Sequence, residues 1–389
     1  MVTVLTAENK AKDEREITVL LISNEGSMTG APLFLERLAR GLSKSRFRVV
    51  IFFAAGGPII ARMRTEGFEI YCSDKRPGTR GIFISIFYRV IHYFRFLRTL
   101  WIVKPDIVYS NTIINCGEAV LSRMCGFPTV VHMHEGMNFA ARLKRRLAIE
   151  TSVCNEVLVG SEYAGSVLYS LTGNVGTVVS IGVTGDSMCD PAASRNSSTL
   201  RVGILGTLDE NKGQLIALEA LALAVARGMD VQLSVAGAEV DSSYSLKLKS
   251  FVVENKLEER VVFLGMIDSV DSFFLSIDVL LVCSYDEVFP TVILEAMRER
   301  KLVVATRVGG IPEIIEHGST GFLFEAGNAK ELSQLLMDVS ENMGEYSGIV
   351  EHASIKFYES YEMFNSVGAI SKRLTHIFNT RPKTSWWGS

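Results

Sequence analysis

Two glutamates in an otherwise apolar stretch, SYDEVFPTVILEAM (284–297), are the residues of this sequence best suited to chemistry. Glu287 and Glu295 are separated by about 10 Å along the path, at about 1.5 Å of helical rise per residue, which is too far for a catalytic dyad. The separation suits carboxylates that bind hydroxyl groups at opposite ends of one elongated ligand. The alternative is that both are surface glutamates, and it is weaker for Glu295 because Leu294 and Ala296 flank it.

The elements around these glutamates are a strand, a loop and a helix. The apolar run DVLLVCS (278–284) predicts a strand, and Pro290 suits the first position of a helix that continues from Thr291 to about Arg300. In an open parallel sheet, ligands bind beyond the carboxyl ends of the strands. We therefore expect Glu287 in a loop at the ligand-binding edge of a sheet.

Lys212 lies in a second turn between a strand and a helix, GTLDENKGQLIALEAL (206–221). It directly precedes Gly213, close to the start of an apolar helix, where a cation is unfavourable for the helix dipole. A lysine at this position makes sense if it contacts a bound phosphate. The alternative is a solvated loop lysine, because lysine is mostly a surface residue.

Two further turns carry glycines at predicted helix starts. Gly30 precedes Pro32, which suits the first helical position, and the pair Gly309-Gly310 precedes Pro312. A glycine-lined helix N-terminus can bind an anion, and adjacent glycines allow close approach of a backbone. Because the spacing around Gly30 fits neither the dinucleotide nor the P-loop pattern, a plain connecting turn remains the alternative there.

Two histidines end another predicted strand, VVHMHEGMNF (130–139). The spacing is not that of a zinc hydrolase, because position 138 is Asn138 where a second histidine would be needed. His132 has the character of a core histidine. His134 lies nearer the loop and is the candidate for a polar role at the site.

Short apolar strands alternate with helical segments along the chain, which is typical of parallel βαβ units. The fold class is therefore α/β, with two Rossmann-like doubly wound domains that are expected to face each other across a cleft. The predicted strands are 17–23, 47–55, 106–111, 129–135, 156–161, 200–206, 231–238, 260–266, 278–284, 301–308 and 321–326. The predicted parts are a loose leader (1–15), an N-terminal acceptor-binding domain (16–183), a linker (184–199), a C-terminal nucleotide-sugar domain (200–355), a helical segment packing back on the N-terminal domain (356–379) and a tail (380–389).

Composition excludes several classes of protein. The chain has 389 residues and a formal net charge of −3, so it lacks the basic footprint of a nucleic-acid-binding protein. Its six cysteines include no C-x-x-C pair, which argues against a zinc or redox motif and favours reduced thiols in the cytoplasm. No apolar run approaches the roughly 20 residues of a spanning helix.

One segment of the N-terminal half interleaves aromatic and basic residues, RGIFISIFYRVIHYFRFLRTLWIVK (80–104). Such a segment suits the inner, anionic face of a membrane, and the basic run RLKRR (142–146) could add to that surface. The alternative is a helix packed between the sheet and a neighbour, with its arginines reaching outward.

Taken together, these motifs resemble the retaining glycosyltransferases of family 4, which have the two-domain GT-B fold. The resemblance extends over nearly the whole chain, and its most specific part is the E-x7-E element of Glu287 and Glu295, followed by Gly-Gly-x-Pro-Glu. It implies transfer of a hexose-type unit, with retention, from a nucleotide sugar to a saccharide or polyprenyl-linked acceptor. Synthesis of cell-surface polysaccharide or glycoconjugate is the expected setting.

The resemblance also implies roles for single residues. Glu295 would bind the ribose of the donor, Glu287 its sugar and Lys212 its diphosphate. His134 would approach the transferred sugar, and Gly30 would lie near the phosphates. Backbone N–H groups near Phe289 and Thr291 would help to bind the diphosphate, and Ile267 would pack on the base. Thr207 occupies the place of the family's usual arginine.

Three consequences follow from this assignment. No cofactor or metal is expected, because a cation and helix dipoles can stabilise the departing diphosphate. Thr207 in place of the arginine leaves Lys212 with more of the leaving group's charge, so the alternative function is a catalytically weak relative that binds nucleotide sugar or glycan without turnover. A nucleotide-binding oxidoreductase is disfavoured, because neither half has G-x-G-x-x-G after a strand.

Overall fold

The computed structural model of the chain describes residues 15–73, 82–186 and 199–381. It divides into two compact units. The first contains the described residues of 1–133, 145–158 and 367–389, and the second contains those of 134–144 and 159–366. Most of the predicted leader, linker and tail lies outside the described residues, so the domain boundaries stay predictions.

Parallel strands form two sheets in the described residues. The first sheet has the order β3-β2-β1-β4-β5-β6-β7 and the second β10-β9-β8-β11-β12-β13. The strands are β1 Ile17–Ser23, β2 Phe47–Phe53, β3 Glu69–Cys72, β4 Ile107–Ser110, β5 Thr129–Met133, β6 Glu156–Val159, β7 Thr177–Val178, β8 Leu200–Leu205, β9 Val231–Ala236, β10 Val261–Gly265, β11 Val279–Val282, β12 Leu302–Thr306 and β13 Phe322–Phe324. In each sheet the first strand in sequence lies in the interior, and later strands are added on both sides of it. β1 lies between β2 and β4, and β8 lies between β9 and β11. The prediction of two doubly wound parallel α/β domains is confirmed.

Helices connect these strands. They are α1 Gly30–Ser43, α2 Pro58–Thr65, α3 Ile82–Val103, α4 Cys116–Met124, α5 Met137–Arg142, α6 Lys144–Val153, α7 Glu162–Thr172, α8 Gln214–Ala226, α9 Ser242–Glu254, α10 Val270–Ser276, α11 Thr291–Arg298, α12 Ile311–Ile314, α13 Ala329–Asn342, α14 Ser347–Lys356 and α15 Met363–Thr380. One-turn 3₁₀ helices occur at Ile113–Asn115 and Glu210–Lys212, and a π turn at Phe357–Tyr361.

The helix starts differ from prediction at two prolines. Pro290 has ψ 106° and is the extended residue just before α11, so it is not the first helical residue. Helix α1 begins at Gly30, two residues before Pro32. Both placements use the same property of proline, because a helix has no partner for the N–H groups of its first turn.

Each unit has its own apolar core. In the second unit every residue of β11 is buried, as expected for a central strand covered on both faces. Its core includes Leu233, Leu281 and Val304. In the first unit, Leu20 and Phe52 of the sheet pack with Phe96 from α3. These buried strands hold the loops at their ends in fixed positions.

Candidate active site

The turn after β8 carries Lys212 in a small network of hydrogen bonds. Asp209 caps the 3₁₀ turn, and its Oδ1 accepts the backbone N–H of Lys212 at 3.2 Å. The other oxygen, Oδ2, accepts a hydrogen bond from Thr207 Oγ1 at 2.6 Å. Thr207 therefore stabilises the conformation of the turn through Asp209.

Gly213 ends this turn in a conformation that few other residues could adopt. Its φ is 63°, in the left-handed region, and a Cβ here would overlap the carbonyl oxygen of Cys283, the residue directly after β11. A glycine is needed for both reasons. The close approach brings the Lys212 turn against the loop that carries Glu287.

Lys212 and Glu287 form an ion pair at the junction of these two loops. The Lys212 ammonium donates to Glu287 Oε1, and Ser284 Oγ donates to the same oxygen at 3.0 Å. Burial acts to lower the pKa of Lys212, but the charge and hydrogen bond of Glu287, together with the charge of Asp209, outweigh it and raise this pKa. Lys212 is therefore a charged lysine whose charge is already engaged by carboxylates.

Backbone hydrogen bonds fix the Glu287 loop on both sides. On one side, Asn211 accepts from the N–H of Tyr285 at 2.8 Å and donates through Nδ2 to the carbonyl of Asp286 at 2.9 Å. On the other side, the N–H of Gly310 donates to the carbonyl of Glu287 at 2.9 Å. The loop is thus positioned by the two turns that follow β8 and β12.

The Gly309-Gly310 pair allows the turn after β12 to approach the Glu287 loop closely. Gly309 has φ 54°, and a Cβ on it would overlap the carbonyl oxygen of Glu287. A Cβ on Gly310 would overlap the carbonyl oxygen of Val288. The close approach that the sequence predicts at these glycines is an approach to the protein's own backbone.

Asp286 was not singled out from the sequence, yet it is central to the loop. Its Oδ1 accepts the Tyr163 hydroxyl at 2.8 Å, and its Oδ2 accepts the backbone N–H of Asn138 at 3.4 Å. Burial and the hydrogen bond to Asp286 raise the pKa of Tyr163 to about 12. Asp286 therefore joins the Glu287 loop to α5 and α7.

Glu313 completes the support from α7. Its two carboxylate oxygens accept the backbone N–H groups of Glu162 and Tyr163, at 2.9 and 2.8 Å. These are orphan donors of the first turn of α7, whose N-cap is Ser161. Glu313 thus complements the dipole of a neighbouring helix.

His134 and Glu287 line the same cavity, of about 390 Å³. Its wall is formed by His134, Gly136, Asn138, Phe139, Arg142, Asn211, Asp286, Glu287 and Val288. Burial lowers the pKa of His134 to about 3, so its imidazole is neutral at physiological pH. By contrast His132 is fully buried with its Nδ1 2.6 Å from the Tyr109 hydroxyl, as expected of a core histidine.

Three of the predicted donor-binding residues lie on helix α11 or directly before it. Glu295 is only 8% exposed, which removes the interpretation of a surface glutamate. Phe289 is buried, with its ring 5.7 Å from that of Tyr361. Thr291 is the first residue of the helix, where backbone N–H groups lack helical partners.

Two predicted residues lie on other segments of the fold. Ile267 is half-buried in the connection between β10 and α10. Gly30 begins α1 in the first unit, and a Cβ on it would meet no atom within 4 Å. Among the described residues no group of three or more His, Cys, Asp or Glu side chains is arranged to hold a metal ion.

By fold, the chain is a two-domain α/β protein of the GT-B type. HepE of Anabaena in complex with UDP-glucose superimposes with a TM-score of 0.81 at 21% identity, covering 92% of this chain and 100% of that chain. Two family models match the sequence: "Glycosyl transferase 4-like domain" over 29–159 and "Glycosyl transferases group 1" over 192–354. The chain therefore carries both of these glycosyltransferase domains.

Named relatives align over parts of their length. N-acetyl-α-D-glucosaminyl L-malate synthase of Bacillus anthracis is 45% identical over 95 residues, which is 23% of this chain and 25% of the relative. An uncharacterised glycosyltransferase of Methanocaldococcus jannaschii is 26% identical over 246 residues, which is 61% of this chain and 66% of the relative. The chain thus spans less than two thirds of either relative.

Proposed function

We propose that the chain is a retaining glycosyltransferase that moves a hexose-type unit from a nucleoside-diphosphate sugar to a saccharide or lipid-linked saccharide. The observation that carries the proposal is that Glu287 and a neutral His134 line the same cavity, and that Glu287 forms an ion pair with Lys212. HepE, which has the same fold, binds UDP-glucose. Synthesis of cell-surface polysaccharide or glycoconjugate fits such a reaction.

The proposed reaction occurs on one face of the donor sugar. The bond from the anomeric carbon to the diphosphate oxygen breaks, and its electron pair leaves with the diphosphate. The acceptor hydroxyl forms the new bond on the same face, and its proton passes to an oxygen of the departing phosphate. No protein nucleophile is needed, so Glu287 positions the sugar hydroxyls.

The remaining residues bind and stabilise the donor. Lys212 and the N–H groups at the start of α11 stabilise negative charge on the leaving diphosphate. Glu295 binds the ribose, and neutral His134 can donate or accept a hydrogen bond at the sugar. Because protein groups supply this positive charge, we propose that the reaction needs no metal.

Donor turnover tests this proposal. The chain is incubated with each of a panel of nucleotide sugars and with saccharide or polyprenyl-linked acceptors, and the anomeric configuration of the product is read by proton NMR. The proposal predicts the donor's configuration in the product and no sugar bound to the protein. A glycosyl adduct on Glu287 in the mass spectrum, or an inverted product, contradicts it.

A second candidate is a relative that binds nucleotide sugar without turnover. It is favoured by Thr207, whose hydroxyl is engaged by Asp209 and adds no charge. Donor binding without turnover, with every acceptor of the panel, would establish this candidate.

We further propose that α3 contacts an anionic membrane surface on the cytoplasmic side. Exposed apolar residues recur along one face of α3. Among them, Phe87, Phe94 and Trp101 are spaced seven positions apart and are 62%, 67% and 63% exposed. The opposite face packs inward through Phe96 and Leu100. The helix has three arginines and no acidic residue, so its charge complements anionic lipid.

Residues 80–81 and the side chains of 82–85 lie outside the described part of the chain. No helix within the described ranges is both long and apolar enough to span a bilayer.

Vesicle flotation tests the membrane proposal. The wild type is expected to float with vesicles containing phosphatidylglycerol, and a Phe94→Ser/Trp101→Ser variant to stay in solution. A Met124→Ser variant is the control, since Met124 is 77% exposed on another helix. Equal flotation of wild type and the double variant would refute the proposal.

A further inference from the structure

Arg142 lies on the wall of the candidate active site. From the sequence alone it belongs to the basic run RLKRR, which was expected on the surface. It is the last residue of α5 and lines the cavity together with His134 and Glu287. Its side chain is exposed, and it forms no ion pair with any carboxylate of the described residues. Arg142 therefore lines the cavity without a carboxylate partner among the described residues.

The charges around this cavity leave a place for a substrate anion. Glu287 is paired with Lys212, and Asp286 accepts hydrogen bonds from Tyr163 and the backbone of Asn138. Lys212 therefore shares its charge with a carboxylate before any substrate arrives. A diphosphate carries several negative charges, which one shared lysine neutralises poorly.

We propose that Arg142 is a donor-binding residue whose guanidinium binds the diphosphate oxygens of the nucleotide sugar. A guanidinium presents two parallel N–H donors that match phosphate oxygens, and it remains protonated at any working pH. Arg142 then supplies from α5 the positive charge that Thr207 does not supply from the turn after β8. This inference rests on the proposed function, since it assumes a nucleoside-diphosphate donor.

Calorimetric titration with nucleoside diphosphates and nucleosides tests the inference. UDP, GDP and ADP are titrated onto the wild type and Arg142→Ala, each beside its own nucleoside. A charge-assisted hydrogen bond to phosphate corresponds to about tenfold to a hundredfold in affinity. We expect Arg142→Ala to lose that factor for the diphosphate and none for the nucleoside, because only the diphosphate contacts the guanidinium.

Three variants sharpen the result. Arg145→Ala removes an exposed arginine that does not line the cavity and is expected to bind as the wild type does. Arg142→Lys should regain part of the lost affinity. Thr207→Arg in the Arg142→Ala background should regain diphosphate affinity if a cation at position 207 can replace Arg142.

The possible failures are distinguishable. Diphosphate binding to Arg142→Ala within twofold of the wild type overturns the inference and leaves the proposed function standing. Equal losses for the diphosphate and the nucleoside also overturn it, since they indicate a structural role. A folded wild type that binds no nucleoside diphosphate overturns the proposed donor site, and the inference with it.

Discussion

The ion pair of Lys212 and Glu287 should couple two loops that are 75 positions apart in the sequence. Lys212→Met and Glu287→Gln each remove one charge while keeping the size of the side chain. The lysine side chain is 31% exposed and the glutamate 13%, so solvent screens the pair only in part. A charge-assisted hydrogen bond contributes about 1.5–3 kcal/mol. Partial screening places the expected coupling near the low end, at about 1–2 kcal/mol.

A double-mutant cycle measures this coupling. The free energy of unfolding is determined in urea for the wild type, both single variants and the double variant. Circular dichroism is the appropriate probe, because the sequence of the second unit (134–144 and 159–366) contains no tryptophan. Lys330→Met, on an exposed face of α13, is the matched control. If the two single effects add within about 0.5 kcal/mol, the pair does not couple the loops and the reasoning is refuted.

Three more predictions concern the support of the site. Gly309→Ala forces a left-handed alanine against the carbonyl of Glu287 and should cost about 1–2 kcal/mol or more of unfolding free energy, whereas Gly344→Ala, with open space around it, should be neutral in the same urea titration. Because burial lowers the pKa of His134 to about 3, its contribution to stability is present above its ordinary value near 6.5 and is lost as pH falls towards 3. His134→Asn should therefore show a smaller fall in Tm between pH 7 and pH 5 than the wild type, and an equal fall would refute this. Glu313→Ala should lower unfolding free energy by about 1 kcal/mol through loss of its hydrogen bonds to the N–H groups of Glu162 and Tyr163, and hydrogen exchange of these two residues should speed up; unchanged exchange would contradict this role.

Much of the fold can be predicted because central parallel strands are continuous apolar runs. The strand predicted over 17–23 matches β1 in full. By contrast β3 (Glu69–Cys72) and β7 (Thr177–Val178) were missed. Both are short edge strands whose residues are only half-buried, so they carry little apolar signal.

The parts of the site that could be predicted are those carried by local sequence. Glu287, Lys212 and Gly309 each stand in a turn after a buried strand, and topology brings such turns to one edge of a sheet. The pairing of Lys212 with Glu287 could not be predicted, because it depends on how closely two distant turns approach. Gly213 was the available signal, since its left-handed conformation is what permits that approach.

Arg142 shows a different limit. Within the run RLKRR it looks like one of several surface cations. Helix α5 ends at Arg142 and α6 begins at Lys144, so the break between helices separates the members of the run. Only the structure distinguishes the arginine that lines the cavity from its neighbours.

The most direct test of the account is a calorimetric titration of nucleotide sugars onto the folded wild type, Glu295→Gln, Lys212→Met and the control Lys330→Met. The account predicts that at least one donor binds the wild type and the control alike, and that affinity is lost by at least tenfold in the other two variants. Absence of binding by every donor, or equal binding to all four proteins, would contradict the donor site at Lys212 and Glu295.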